Sequence, residues 1–441
     1  MIAQDFFELC SNGKTRKIKD AIASGADVNA KDKDGMTALM HVAWKNPRPK
    51  AIKFLLKSGA KVNAKEENGI TALMYAAANN PEPEIISVLL DNGADINIKN
   101  KSGKTVFMCA AHSNPNPEVL SLLLRHNIDI NAKSDDSSTA LIYAASSNLN
   151  PEIISFLLDN GADINTKTNN GKTVFVSAAL SNPNTEVLSL LLKHGVDVNE
   201  KTTKGITALM SAIVGNPNPE IIEFLIKNGA DVNAAAEDGK TALILASETN
   251  SDPDIFSLLI QYGADVNAQD KNGKTVLMYV TETIVNPEVT SLLLKHGADA
   301  TIKNQNGSTA LLHAATFNPN PEVLSLLLDS DVDINAKYEY GATALMMASM
   351  HNSNPEIISV ILGKNADVNI KDIFNATALI HAAQHNSNPE VISLLLDSGA
   401  NVSIKDRNRQ KAIDYAKNNK DLKGTQVFNR LQKATRAAVK R

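Results

Sequence analysis

Apolar positions along this chain come in pairs of short bursts, each pair followed by a polar stretch. Between Thr71 and Lys104 the first burst is Leu73-Met74-Tyr75-Ala76-Ala77, and a break follows at Asn79-Asn80-Pro81. The second burst places Ile85, Val88 and Leu89 at i, i+3 and i+4, with Ile86 and Leu90 widening the stripe. That spacing predicts an amphipathic helix, opened by Pro83-Glu84 and stopped by Gly93 in a left-handed conformation. A hydroxyl at Thr71 just before strong helix formers predicts a first, shorter helix whose free amides the threonine caps. The remainder, Ala94 to Gly103, alternates briefly and turns at glycine, which predicts an extended, hairpin-like finger. The register returns at Thr37, Thr71, Thr105, Thr139, Thr173, Thr207, Thr241, Thr275, Thr309, Thr343 and Thr377, ten intervals of 34 residues without insertion or deletion. Helix, helix, finger is therefore one structural unit stacked on its copies, and a stack of near-copies offers an extended surface more naturally than an enclosed pocket.

Thr-Ala-Leu-Met-Tyr-Ala-Ala, followed by Ile-Ile-Ser-Val-Leu-Leu-Asp-Asn-Gly-Ala-Asp-Ile-Asn and a glycine finger, resembles the ankyrin repeat family. The resemblance covers nearly the whole chain. It implies an all-α repeat solenoid with β-hairpin-like fingers, a capping repeat over 1–36, eleven internal repeats over 37–410 and a divergent final cap over 411–441 carrying a basic helix. Two departures from the family pattern matter. The position usually held by histidine in the first helix carries Met40, Met74, Met108, Ile142, Val176 and further apolar residues, so a polar brace is expected to give way to apolar packing. The repeat is one residue longer than usual, the extra residue lying in the inter-helix turn. Ser137, Asn375 and Arg409 stand at the finger glycine, and Asn127, Asp331 and Asn365 at the helix-ending one, where local strain is expected.

Composition adds limits. Aromatics are only 4% of the residues, which fits thin layers packed with Ala, Leu, Ile and Val. No apolar run approaches the roughly 20 residues that span a bilayer, and the acidic start Met1-Ile-Ala-Gln-Asp-Phe-Phe-Glu does not read as a secretory leader. Two cysteines, Cys10 and Cys109, suggest neither a disulfide framework nor a zinc site, and a reducing cytoplasm is the simplest home, with export lacking a cleaved leader left open. The net charge of −4 conceals a tail, 417–441, with eight Lys/Arg against Asp421 alone. Val427, Leu431 and Ala434 in that tail read as the apolar edge of a helix that seals the last repeat, the other reading being contact with an anionic surface.

No nucleophile, phosphate loop or carboxylate pair stands apart from the repeat, so neither an enzyme nor a cofactor is expected. Recurrent Asp27, Asp95 and Asp163, and the turn asparagines Asn80, Asn114, Asn148, Asn182 and Asn216, read as builders of their own fingers and turns. His381 and His385, at i and i+4, have a spacing that can share a metal, but no acid or thiol of matching register joins them. The informative positions are those that vary while the framework stays fixed. In this fold they face the concave groove and the finger tips: Trp44 and Tyr75 early, then Phe317, Met347, Met350, His351, His381 and His385 late, with Tyr338, Tyr340, Ile373 and Phe374 on the late tips. Such side chains are favoured at interface centres, which points to a protein partner bound mainly by repeats nine to eleven; the bland reading is that they lie against the next finger. A monomeric protein-binding scaffold with no membrane partner and no nucleic-acid partner is the expected function. The Asn-, Ile- and Lys-rich composition also resembles bacterial ankyrin proteins, which include host-directed effectors, and a metal protein or an enzyme is the remaining alternative.

Overall fold

The computed structural model describes residues 3–216, 218–249 and 252–439. Met1 and Ile2 of the acidic start, and Lys440 and Arg441 of the basic tail, lie outside the described residues. Among the described residues the chain is helical, and it divides into two compact units, Met1–Asp231 and Val232–Arg441. In the first unit the inner helices, from Ala38–Lys45 and Ala72–Asn79 through Ala208–Gly215, pack side by side in chain order, each also packing on its own outer helix, such as Pro83–Asp91. The second unit repeats the arrangement from Ala242–Thr249 through Ala378–His385.

The local reasons are those the sequence announces. Thr37, Thr71, Thr105, Thr139 and Thr173 each accept, through the side chain, the amide of the residue three positions on. Asn116, Asn150, Asn218 and Asp252 stand one residue before a helix-opening proline and cap the outer helices by accepting the amide two positions on. Ala76 and Ala77 are fully buried between layers, and Ile85, Ile86, Val88 and Leu89 form the buried stripe of their outer helix. Met40, Met74, Met108 and their counterparts are buried apolar packing. The polar brace nevertheless persists one residue later: His41 Nε2 lies 2.7 Å from Asp32 Oδ2 and His381 Nε2 2.9 Å from Asp372 Oδ2. Tyr279 donates to Asp270 at 2.8 Å and Tyr415 to Asp406 at 2.5 Å. Each of these bonds ties a finger to the inner helix it feeds.

The turn asparagines do more than fold their own turn. Asn148 Oδ1 accepts the amide of Asn150, while its Nδ2 donates to the carbonyls of Ala111 and Asn114 in the preceding repeat, at 3.0 and 2.9 Å. The reason lies in the helix end it serves. The last carbonyls of a helix lack intrahelical partners, and the residue four past Ala111 is Pro115, which has no amide hydrogen to offer. Asn80, Asn114 and Asn182 cap their predecessors identically in the first unit, as Asn318, Asn352, Asn386 and Asn419 do in the second. Ile284 occupies this position in one repeat, and there the Thr283 hydroxyl donates to the Ser247 carbonyl at 3.4 Å. A second series runs through the finger bases, where Asn29, Asn63 and Asn131 each donate to the carbonyl of the helix-ending glycine one repeat on.

The fingers differ from the expected hairpins. No strand ladder forms among the described residues, only the isolated antiparallel bridges Lys31–Thr37, Lys167–Thr173 and Gln269–Thr275. A finger is instead a tight turn wound around the side chain of its first residue: Asp32 Oδ1 accepts the amides of Asp34 and Met36, and Asn100 Oδ1 those of Ser102 and Lys104. Successive tips are tied by single backbone bonds, such as Lys101 N to Asn68 O at 2.8 Å. Asn127, Asn365, Ser137, Asn375 and Arg409 do take the left-handed conformation in place of glycine. Asp331 does not; there a three-residue turn centred on it closes with Val332 N donating to Ser330 O at 2.7 Å. The tail helix, Gln426–Val439, packs on Pro389–Asp397 and Ala412–Ala416 with Leu431 buried and Val427 and Ala434 half-buried, so its apolar edge is spent on the array. Arg430 of that helix pairs with Asp397.

Candidate functional site

The finger spanning 338–342 is built differently from the others, and the difference starts with its first residue. Tyr338 stands where Asp32 and Asn100 accept the finger amides, and a phenol at that depth cannot reach them. Its ring is buried, 8% exposed, and its Oη lies 2.9 Å from Thr309 Oγ1. Thr309 makes no side-chain cap bond to its own helix. The turn recloses through backbone instead, with Ala342 N donating to Glu339 O at 3.4 Å, and Tyr340 is driven to φ 58 beside Gly341 at φ 76. Tyr340 therefore holds a backbone conformation that bulky residues resist, and presents a ring that is 59% exposed. The expectation of Tyr338 on a projecting tip is thus corrected: it stands at the finger base, inside the protein.

On the next finger Phe374 is 49% exposed and Ile373 44% exposed. The Tyr340 and Phe374 rings stack, with centroids 6.3 Å apart and planes 29° from parallel. Arg407, one finger further, lays its guanidinium 5.7 Å from the Phe374 centroid and donates its amide to the Phe374 carbonyl. In the same register the earlier tips carry polar residues such as Asn68, Ser102, Asn170 and Asn306. Hydrophobicity does not single out Arg407; the signal that could is its register, directly beyond Ile373. Exposed aromatic groups held against each other by strained and stacked backbone are the chemistry of an interface centre. Tyr340→Asn is expected to raise stability by about 1 kcal/mol, because asparagine accepts the left-handed conformation more readily; a urea midpoint that falls would contradict the strain.

The inner-helix candidates fall in two groups. Trp44 and Tyr75, in the first unit, are half-buried with ring centroids 5.9 Å apart, and Lys45 Nζ lies 4.0 Å from the Trp44 ring. Burial, with Glu66, Asp32 and Asp34 nearby, pushes the Tyr75 phenol up to about 12. In the second unit Phe317 ends its inner helix 57% exposed, beside the His313 ring at 6.4 Å. Met347 and Met350 are half-buried on the next inner helix, which ends at exposed His351. His385 is exposed as well, whereas His381 is half-buried and committed to Asp372. Burial and the charge of His381 hold both His351 and His385 below the ordinary imidazole value. No three His, Cys, Asp or Glu side chains among the described residues are grouped so as to hold a metal ion.

Two polar clusters lie outside this set. Lys274 Nζ meets Glu282 Oε2 at 2.5 Å, and His313 Nδ1 lies 3.1 Å from the same oxygen, off the line of a good hydrogen bond. Together His313 and Lys274 hold the Glu282 carboxyl down to about 2. Near the first finger Ser11 Oγ lies 3.2 Å from His41 Nδ1, and His41 bonds Asp32, an order that suggests nucleophilic hydrolysis. The surroundings oppose it. Ser11 is 7% exposed, donates to the Phe7 carbonyl, and sits at the C-terminal end of its helix, where free carbonyls would repel an oxyanion. The Asp32 carboxyl, although burial pulls it upward, is held below its ordinary value by His41 and the finger amides it organises. We therefore read the trio as a clamp between the first helix and the first finger.

Paired antiparallel helices repeating at fixed register, with tied fingers and an exposed variable edge, define a helical repeat solenoid of the kind that serves recognition. The family model described as ankyrin repeats, in three copies, matches in overlapping segments from residue 6 to residue 427. The chain belongs to the ankyrin repeat family, whose members are generally protein–protein interaction modules and typically not enzymes. No curated protein matches the chain. No helix among the described residues is long and apolar enough to cross a membrane.

Proposed function

We propose that this chain is a non-enzymatic scaffold that binds a partner protein through the late finger tips and the adjoining inner-helix face of its second unit. The observation that carries the reading is the Tyr340–Phe374 pair: two exposed aromatic rings stacked across neighbouring fingers, one held in a strained backbone conformation, beside exposed Ile373 and the Arg407 guanidinium. Exposed aromatic and arginine groups clustered on a rigid support are what partner proteins bury at the centre of a contact. Phe317, Met347, Met350, His351 and His385 supply the neighbouring, more adaptable part of the surface. Trp44 and Tyr75 are packed on each other in the first unit and would serve a separate contact there.

A photo-reactive residue at position 373 is expected to cross-link the partner in lysate, while the same group at position 170, an exposed tip in the first unit, is not. Equal cross-linking of one protein from both positions, or none from 373, would end the assignment of the late tips.

A further inference from the structure

Residues 14–65 hold thirteen Lys/Arg against four Asp and no Glu, a local +9 in a chain whose total is −4. The tail is thus not the main positive feature of the molecule. Much of this charge is gathered on two adjacent outer helices, Thr15–Ala23 and Pro49–Lys57, which pack side by side. Arg16 and Lys19 on the first, and Lys50, Lys53 and Lys57 on the second, line one shallow, open depression of 430 Å³ with Phe54 in its floor. The spacings i, i+3 and i, i+3, i+7 place each set along one stripe of its helix.

The ten outer helices that follow, from Pro83–Asp91 to Pro389–Asp397, all carry an acid at their second residue, as in Pro83-Glu84 and Pro253-Asp254. In the two basic helices that residue is Arg16 and Lys50. A carboxylate at this place complements the positive end of the helix dipole, whereas a cation adds to it. The local field is therefore reinforced where the rest of the array neutralises it. Counter-charge within the protein is slight: Lys53 reaches Glu84 at 3.1 Å with both side chains well exposed, and Lys19 lies 5.4 Å from the Phe54 ring. Arg16, Lys50 and Lys57 meet no carboxylate among the described residues.

Five cations on two helices whose axes lie roughly 10 Å apart repel one another unless an anion joins them. The matching ligand concentrates several negative charges within the same width. A single strand of nucleic acid needs open aromatic faces for its bases, and the one aromatic ring here already carries Lys19. Lipids with one charge each spread that charge over many headgroups. We propose that this depression binds a compact cluster of phosphates, the polyphosphorylated inositol type of headgroup, either free or presented on a membrane.

The test uses the full chain, titrated with free inositol hexakisphosphate and with phosphatidylcholine vesicles containing either phosphatidylinositol bisphosphate or phosphatidylserine at matched total charge. Binding of the hexakisphosphate alone identifies a soluble ligand, and binding of the bisphosphate vesicles as well identifies a membrane headgroup; both support the site. The triple variant Lys50→Glu/Lys53→Glu/Lys57→Glu is expected to lose more than about 100-fold in affinity. Its thermal midpoint should change little, since all three side chains are exposed and the acid gained at position 50 offsets the loss of the exposed Lys53–Glu84 pair. Lys420→Glu/Lys423→Glu in the other basic segment should leave binding unchanged. The proposal is overturned by absence of binding to both phosphate probes, by phosphatidylserine vesicles or duplex DNA binding equally well, or by a triple variant that binds like the parent.

Discussion

Asn148→Ala lowers the stability of the first unit by about 3 kcal/mol, the expected cost of stripping three hydrogen bonds from a buried site. The side chain is 3% exposed, and its loss leaves the Ala111 and Asn114 carbonyls and the Asn150 amide without the partners they now have. Water cannot replace the amide without opening the layer. Asn148→Asp is expected to be worse than alanine despite its similar size, because it keeps the acceptor, removes both donors and sets a negative charge against two carbonyls. Asn97→Ala, at an exposed finger base, serves as the control and should change little. Urea unfolding followed by circular dichroism should rank Asn148→Asp as the least stable, Asn148→Ala above it and Asn97→Ala highest. Equal midpoints for Asn148→Ala and Asn97→Ala would show that the three bonds of the Asn148 side chain contribute nothing measurable to stability.

The second large effect concerns recognition. Replacing Tyr340 and Phe374 together by serine is expected to weaken partner binding by at least about 100-fold, because each truncation at the centre of an interface typically costs on the order of 2 kcal/mol or more. Folding should not suffer, since both rings are exposed. Tyr338→Phe gives the opposite separation. It removes the bond to Thr309 from a buried position, so it should lower stability and leave affinity nearly intact. Partner affinity of the parent and these two variants, measured by surface plasmon resonance once cross-linking has supplied the partner, decides the matter. A double variant that still binds as tightly as the parent removes the aromatic tips from the function.

The periodic threonines, prolines and glycines make the helix starts, stops and buried stripes legible residue by residue, because each is a local requirement of backbone geometry. The asparagine bonds are only half legible. Oδ1 of Asn148 acts within its own turn, as a local reading supposes, but Nδ2 acts on atoms 34 and 37 residues away. Exact periodicity hides that distinction, since a residue recurring every 34 positions looks the same whether it serves its own copy or the previous one. The unpaired carbonyl ahead of Pro115 is the available clue. At the candidate site, hydrophobicity alone finds Tyr340 and Phe374 but cannot tell tip from base, and so places Tyr338 outside. Register settles it: Tyr338 aligns with Asp32 and Asn100, the residues around which fingers wind. The finger-to-helix bonds of His41 and His381 lie one position beyond the site where the family pattern directs attention.

Because most of the inner helices are finished by an asparagine from the repeat after, a chain emerging from the ribosome exposes at those repeats a layer whose end is open. That layer becomes complete only when the next 34 residues have appeared and folded onto it. Synthesis thus sets a direction for assembly within each unit, in which a new copy carrying the asparagine secures the one before and passes the vacancy forward. Asn419, donating to the Ala383 and Asn386 carbonyls, is where that hand-over stops.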